Sequence, residues 1–326
     1  MPLELSGRVL QNATPRLVKM LSGKYGELSA ERVEWDMKEH HGLGLSSHYI
    51  QQVSRAIGEV MREKEGEWTY SLPEMRKKVA TLSIGRDGTT TAIRGEGYKQ
   101  TMAGTIAFYD KKGNRMTTLY LGCAPEKKKE AFDALLKREI ELVKKQYPKA
   151  HYTGVADGAL DNWTFLSPVT DVQILDFFHG ADYLKKFADI PSIVFSDPKQ
   201  KNTFQEQLRE TLKDKKGGVH QVIKTLKKLA SALTNQPDKD QARTVIGYFN
   251  NNKERMDYYT YQKKGYPIGS GVTEAACKTL VKQRLSQSGM RWNRTGVDDV
   301  LLIRGLLLSD GRWKQFWNKV TQLGYN

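Results

Sequence analysis

The hydrophobic period of this chain changes near Lys78, from helical spacing to runs that read as strands. Three strand candidates follow in close succession at residues 79–87, 102–109 and 116–121. The last two flank the turn DKKGN starting at Asp110, which offers a glycine for positive φ. A helix is expected over about 126–147, because Phe132, Leu136, Ile140, Val143 and Tyr147 form one apolar stripe opposite a Lys and Glu face, and Pro148 ends it. Two more strands are expected at 151–157 and 172–178, with a helix between them. Strand, strand, strand, helix, strand, helix, strand is an α/β plan: a hairpin extended by parallel strands, each reached through a helical crossover.

Different structure is expected on either side of this block. Residues 1–72 read as helical, with segments at 30–40 and 46–61 joined by Gly42-Leu43-Gly44. Ser46 or Ser47 can cap the second segment, and Ile50, Val53, Ile57 and Val60 recur on one face. This is the pattern of a helix-turn-helix, whose second helix would lead into a DNA groove with His48, Tyr49, Gln51, Gln52 and Arg55; it is equally the pattern of an ordinary helical hairpin. The first sheet-forming unit is expected at 73–183. Residues 184–262 are lysine-rich and helical, with helices at 204–213, 218–233 and 240–250, and read as an all-helical insertion. The breaker-rich loop GYPIGSG, from Gly265, then leads into a helix from Val272, so that 263–326 forms the last unit. Gly95-Glu96-Gly97 lacks the third glycine and following helix of a dinucleotide-binding loop, and no Walker loop occurs.

Charge narrows the partners. The 326 residues carry 52 Lys+Arg against 37 Asp+Glu, a net +15. Such a balance favours a polyanion, because neutralising phosphates releases condensed counterions. The longest apolar stretch, 300–308, is interrupted by Arg304 and too short to span a bilayer, and residues 1–12 lack a secretory pattern, so the cytoplasm is expected and no membrane partner. Cys123 and Cys277 alone exclude a disulfide framework and a cysteine-rich zinc finger built by this chain.

Three acids fall where an α/β sheet would gather them: Asp87 ending the first strand, Asp157 ending the fourth, and Glu274 starting the helix after the insertion. Converging carboxylates repel one another unless a cation sits between them, so such a cluster either binds metal or holds its protons to higher pH, and an all-oxygen set favours Mg²⁺ or Mn²⁺ over zinc. Two such ions about 4 Å apart can activate a water or a 3′-hydroxyl for in-line phosphodiester displacement. Taken singly, each acid also has a structural reading: Asp87 beside Gly88 and Asp157 beside Gly158 as turn formers, Glu274 as a complement to its helix dipole. Beyond Glu274, residues 265–326 hold nine basic and four acidic residues. Lys278, Lys282, Arg284, Arg291 and Arg294 could hold phosphates there, and Trp292 could stack on an unpaired base. The alternative is a surface helix with a Glu274–Lys278 ion pair and a core tryptophan.

The three acids lie in blocks that resemble the DDE transposases of bacterial insertion sequences, most closely those of the ISKra type. The blocks are IGRDGTT from Ile84, AGTIAFYD from Ala103, LYLGCAP from Leu119, VADGALDNW from Val155, LDFFH from Leu175 and IGSGVTEAACK from Ile268. In order, they span about two-thirds of the chain. The resemblance implies a ribonuclease H-like mixed sheet whose metal-binding catalytic acids are Asp87, Asp157 and Glu274, with an all-helical insertion before the glutamate. Asp176 and His179 look like the Asp-x-x-His element of related transposases and are expected to be accessory. Members of the family often carry a cysteine-rich, zinc-ribbon-like segment ahead of the helical region. Its absence here is expected to mean a shortened form or a part supplied by another reading frame, leaving end recognition to the helix-turn-helix.

The expected function is thus a bacterial DNA transposase that uses two Mg²⁺ or Mn²⁺ ions to hydrolyse a phosphodiester at the transposon end and join the freed 3′-hydroxyl to target DNA, acting as a homodimer on DNA. The rivals are a ribonuclease H-fold nuclease without joining activity and a non-catalytic, transposase-derived DNA-binding regulator; the latter fits poorly with three retained acids near DNA.

Overall fold

A computed structural model describes residues 10–75, 77–125 and 129–325. Five strands, β1 (Thr81–Ile93), β2 (Gly97–Tyr109), β3 (Arg115–Cys123), β4 (His151–Ala156) and β5 (Val172–Leu175), form one mixed sheet in the spatial order β3-β2-β1-β4-β5. The first three are joined antiparallel, and β4 and β5 add in parallel to β1. The α/β plan read from the hydrophobic periods is the one observed.

The chain opens with α1 (Pro15–Glu27), α2 (Ala30–His41) and α3 (Ser47–Lys64). Each start is capped by a side chain: Thr14, Ser29 and Ser46 accept from the backbone N–H three residues on. The crossovers are α4 (Glu130–Gln146) and α5 (Leu160–Leu166). The expected start of α4 near Glu126 lies outside the described residues, as do residues 1–9 of the first expected unit. After β5 come α6 (Phe177–Ala188), α7 (Pro198–Asp214), α8 (Gly218–Ala230), α9 (Gln236–Asn252) and α10 (Tyr258–Lys263), so the stretch expected to be helical is helical. The boundaries expected at 183/184 and 262/263 fall inside α6 and α10. The helices between them share a continuous apolar core with the sheet, through residues such as Leu212, Val222 and Phe249.

Two expectations about strand ends change. β1 continues to Ile93, because Thr89, Thr90 and Thr91 suit a pleated strand and the Gly95-Glu96-Gly97 turn, with φ of 77° and 73° at its glycines, folds the chain straight back into β2. Asp87 is therefore mid-strand, opposite Ala103. Conversely β5 stops at Leu175, since the Asp176 side chain accepts from His179 N–H and caps α6.

The helix carrying Glu274 begins as α11 (Gly271–Ala276), widens into a π-helical segment (Cys277–Lys282) and closes as α12 (Gln283–Leu285). It lies on the sheet face opposite α4. Phe132, Leu136, Ile140 and Val143 of α4 pack on one face, while Ala276, Leu280 and Val281 pack on the other with Val297, Val300 and Leu301 of α13 (Arg294–Leu308). Close seating there depends on Gly85: a Cβ at this position would sit 2.0 Å from Thr273 Oγ1, so only glycine leaves room. The N-terminal helices form a second core with Ile303 of α13 and Phe316, Trp317 and Val320 of α14 (Arg312–Leu323). Arg304, 1% exposed, staples the parts: Nε donates to Leu280 C=O at 2.9 Å and Nη1 to Gly26 C=O at 2.7 Å.

A candidate metal centre at the sheet edge of the glutamate helix

Asp87 from the middle of β1, Asp157 just after β4 and Glu274 from α11 line one cavity of about 70 Å³, together with Arg86, Asn162, His179, Ser270 and Thr273. Adjacency of β1 and β4 brings the two aspartates together, and the close seating of α11 brings the glutamate. The three acids, 187 positions apart at their extremes, therefore share one site.

Each carboxylate is held by neutral donors. Asp87 Oδ1 accepts from Gly88 N–H at 2.7 Å, and its Oδ2 faces the Cys277 thiol at 3.5 Å. Burial and the neighbouring Asp87 charge push that thiol up to about 12, so it stays protonated and can only donate. Asp157 Oδ1 accepts from Ala159 N–H at 3.1 Å and Asn162 Nδ2 at 3.0 Å. Glu274 Oε1 meets Ser270 Oγ at 2.5 Å. Among the described residues, no Lys or Arg forms an ion pair with any of the three. The nearest cation in sequence, Arg86, turns away to Asp133 at 2.5 Å and Asp161 at 2.8 Å. Three carboxylates around a small cavity, with the Arg86 in its wall paired to other acids and no ion pair to the three among the described residues, oxygen-rich with one imidazole at the rim, fit a hard divalent cation.

Asp176 and His179 enter this site more closely than an accessory role implies. The ligand atoms of Asp176, His179 and Glu274 lie within 4.8 Å of one another and could hold a metal ion. Asp176, fully buried, already accepts on Oδ2 from the Ser270 N–H and, at 2.6 Å, from its hydroxyl, and on Oδ1 from His179 N–H at 2.8 Å. The Ser270 hydroxyl has one proton for two carboxylates, so it can donate to Asp176 or to Glu274 but not both. A cation beside Glu274 would relieve the contact left without a proton.

Sequence reasoning missed the supporting residues. Arg86, 2% exposed, donates through Nε to Asn162 Oδ1 at 3.2 Å, which turns the Asn162 amide nitrogen toward Asp157. Thr273 bonds Thr105 at 2.8 Å across the sheet face. Asn162, Thr273 and Ser270 stand inside the recognised blocks, beside the acids, and that proximity was the available signal.

The other residues expected at a DNA surface are spread out. Lys278 and Lys282 are exposed, but the π-helical segment between them breaks the simple four-residue repeat, and no Glu274–Lys278 pair forms among the described residues. Arg294 is engaged with Glu96 at 2.5 Å and with the Pro125 carbonyl, so it is not a free phosphate contact. Arg284 is 1% exposed rather than on the surface. Trp292 is half-buried, with its Nε1 donating to Leu285 C=O at 3.0 Å, which removes it as a freely exposed base-stacking platform. On α3, His48, Gln52 and Arg55 are exposed and Gln51 half-buried, while the Tyr49 hydroxyl donates to Gln11 C=O at 2.9 Å. No helix among the described residues is long and apolar enough to cross a membrane. The sequence matches no protein-family model and no curated protein.

Proposed function

We propose that this protein is a metal-dependent DNA strand-cleaving and strand-joining enzyme of the DDE transposase type, built on a ribonuclease H-like catalytic sheet. The observation that carries the reading is the shared cavity of Asp87, Asp157 and Glu274, supplied by adjacent parallel strands and a helix seated across them, with no Lys or Arg ion-paired to the acids among the described residues. The strand order and directions agree with the ribonuclease H-like plan.

Asp87, Asp157 and Glu274 would hold two Mg²⁺ or Mn²⁺ ions, with His179 at the rim. Such ions, when bound, supply Lewis acidity and stabilise the attacking and leaving oxygens of an in-line phosphodiester displacement. The chain contributes the geometry. Gly88 N–H and the Cys277 thiol fix Asp87, the Arg86–Asn162 relay fixes Asp157, and Ser270 backed by Asp176 fixes Glu274. The net charge of +15 draws the DNA in. In this reading α2 and α3 act as a helix-turn-helix on transposon-end DNA, a homodimer brings two ends together, target DNA receives the freed 3′-hydroxyl, and the reaction takes place in the bacterial cytoplasm.

The test is nicking and joining of DNA carrying the element's end, with and without Mg²⁺. Metal-dependent nicking followed by a joined product, both lost in Asp87→Ala and Glu274→Ala, supports the reading. Nicking without joining would reassign the protein as a nuclease. Metal-indifferent binding with no cleavage would make it a regulator.

A further inference from the structure

A second cavity, of about 340 Å³, lies where the N-terminal helices meet the far end of β1 and the loop after α12. Backbone bonds build this junction: Trp292 N–H donates to Ala92 C=O at 3.1 Å, and Arg94 N–H returns to Trp292 C=O at 2.8 Å. Four arginines line it, Arg55 of α3, Arg94 at the end of β1, and Arg284 and Arg291 on either side of the 286–290 turn. None of the four forms an ion pair among the described residues. The carboxylates in its wall are Glu31 and Asp299, and Asp299 is taken by Arg62.

Arg284 decides what this cavity is for. Its guanidinium is 1% exposed and lies between the rings of Tyr25 and Trp292, at 4.8 and 4.9 Å from their centroids. Its partners are all neutral: the Tyr25 carbonyl, 2.9 Å from Nε, the Tyr25 side chain, whose phenol burial keeps protonated, and the weakly accepting sulfur of Met290, 3.7 Å from Nη1. A buried cation without an anion is costly, and burial here works against its charge. Arginine, with a planar fork of donors, suits an oxyanion that can take two bonds at once.

We propose that this cavity is an oxyanion site that grips one backbone phosphate of bound DNA, at a distance from the cleavage centre. The proposal rests on the DNA-acting reading above and gives it a second anchor. Asp87 and Arg94 are seven residues apart along β1, about 23 Å at 3.3 Å per residue. That is roughly seven base steps of duplex at 3.4 Å each. One DNA molecule can thus occupy both sites, and the grip would set which phosphate reaches the acids.

The experiment compares the full chain with Arg94→Gln/Arg291→Gln, two exposed positions outside the acid cavity and off the α3 face read as entering a DNA groove, leaving buried Arg284 intact. Affinity for a 20-base-pair duplex is measured by fluorescence anisotropy across a salt series without divalent metal. The expected result is a loss of about tenfold or more and a salt slope smaller by about one for the lost phosphate, with the melting temperature unchanged. Arg94→Lys/Arg291→Lys keeps the charge and should retain the salt slope while losing part of the affinity that the planar fork supplies. Unchanged affinity and slope in the glutamine variant overturn the proposal. So does a cavity that binds inorganic phosphate, read as a rise in melting temperature lost in the variant, while duplex affinity stays the same. A parent chain that never nicks DNA, with duplex affinity that falls as described in the glutamine variant, supports this site and removes only the catalytic reading.

Discussion

Replacing Gly85 by alanine tests whether the glutamate helix is positioned by its contact with β1. The added Cβ would lie 2.0 Å from Thr273 Oγ1, whereas ordinary contact begins at 3.4 Å, so the helix or the side chain must give by 1.4 Å. Thr273 is poorly placed to yield: it is buried, β-branched, and bonded to Thr105 at 2.8 Å. Overpacking of this kind costs about 1–3 kcal/mol. Because Glu274 is the next residue, its carboxylate moves with the helix, and a misplacement of about 1 Å can cost on the order of 100-fold in rate. Denaturant unfolding and calorimetric Mn²⁺ titration of Gly85→Ala should both show the loss. Thr273→Ala alone forfeits one hydrogen bond, worth about 1 kcal/mol, but in the double variant it removes the 2.0 Å clash and leaves the tight 3.1 Å approach to the Cβ of residue 273, so the two changes should couple favourably by about 1–2 kcal/mol. A Gly85→Ala protein within about 0.5 kcal/mol of the parent, or strictly additive effects, would refute the argument.

Other perturbations probe the supports. Arg312 and Glu139 form a buried pair at 2.5 Å, so Glu139→Ala strands the guanidinium and should lower unfolding free energy by about 3–5 kcal/mol; a change under about 1 kcal/mol would mean water compensates the charge. Burial lifts Asp299 to about 6, above its ordinary value of 3.8. Its contribution to stability is therefore full below pH 3.8 and is lost as pH rises through about 6. Asp299→Asn should consequently gain about 1 kcal/mol on the parent between pH 5 and pH 8, and a pH-independent difference would contradict the burial argument. Ser270→Ala removes the hydroxyl beside Glu274 and should weaken Mn²⁺ binding about 10–100-fold with little change in melting temperature; unchanged affinity would show that Ser270 does not orient the glutamate.

Much of this arrangement was legible in the chain itself, because hydrophobic period and turn chemistry are local. The stripe of α4, the Asp110–Asn114 turn and the Ser46 cap can each be read from a few neighbouring residues. Strand ends were less readable. A threonine run after Asp87 competes with a glycine beside it, and only the partner strand, folded back through Gly95 and Gly97, decides that the ladder continues. Asp176 illustrates the same limit: its side chain ends β5 by capping α6, and it reaches Ser270 94 positions away. The basic tail misled most. Arg284, Arg294 and Trp292 look alike as exposed candidate contacts in sequence, yet packing sets the first deep in the wall of the second cavity, pairs the second with Glu96 and sets the third against the end of β1. Long-range burial decides such cases, and no short window contains it.

Direct counting of bound Mn²⁺ by electron paramagnetic resonance, with duplex DNA present, most sharply tests the shared cation site of Asp87, Asp157 and Glu274. The account predicts two ions per parent chain, and loss of at least one, or a tenfold weaker titration, in each of Asp87→Asn, Asp157→Asn and Glu274→Gln. Two ions bound as tightly in all three variants as in the parent, or binding that depends only on Asp176 and His179, would contradict it.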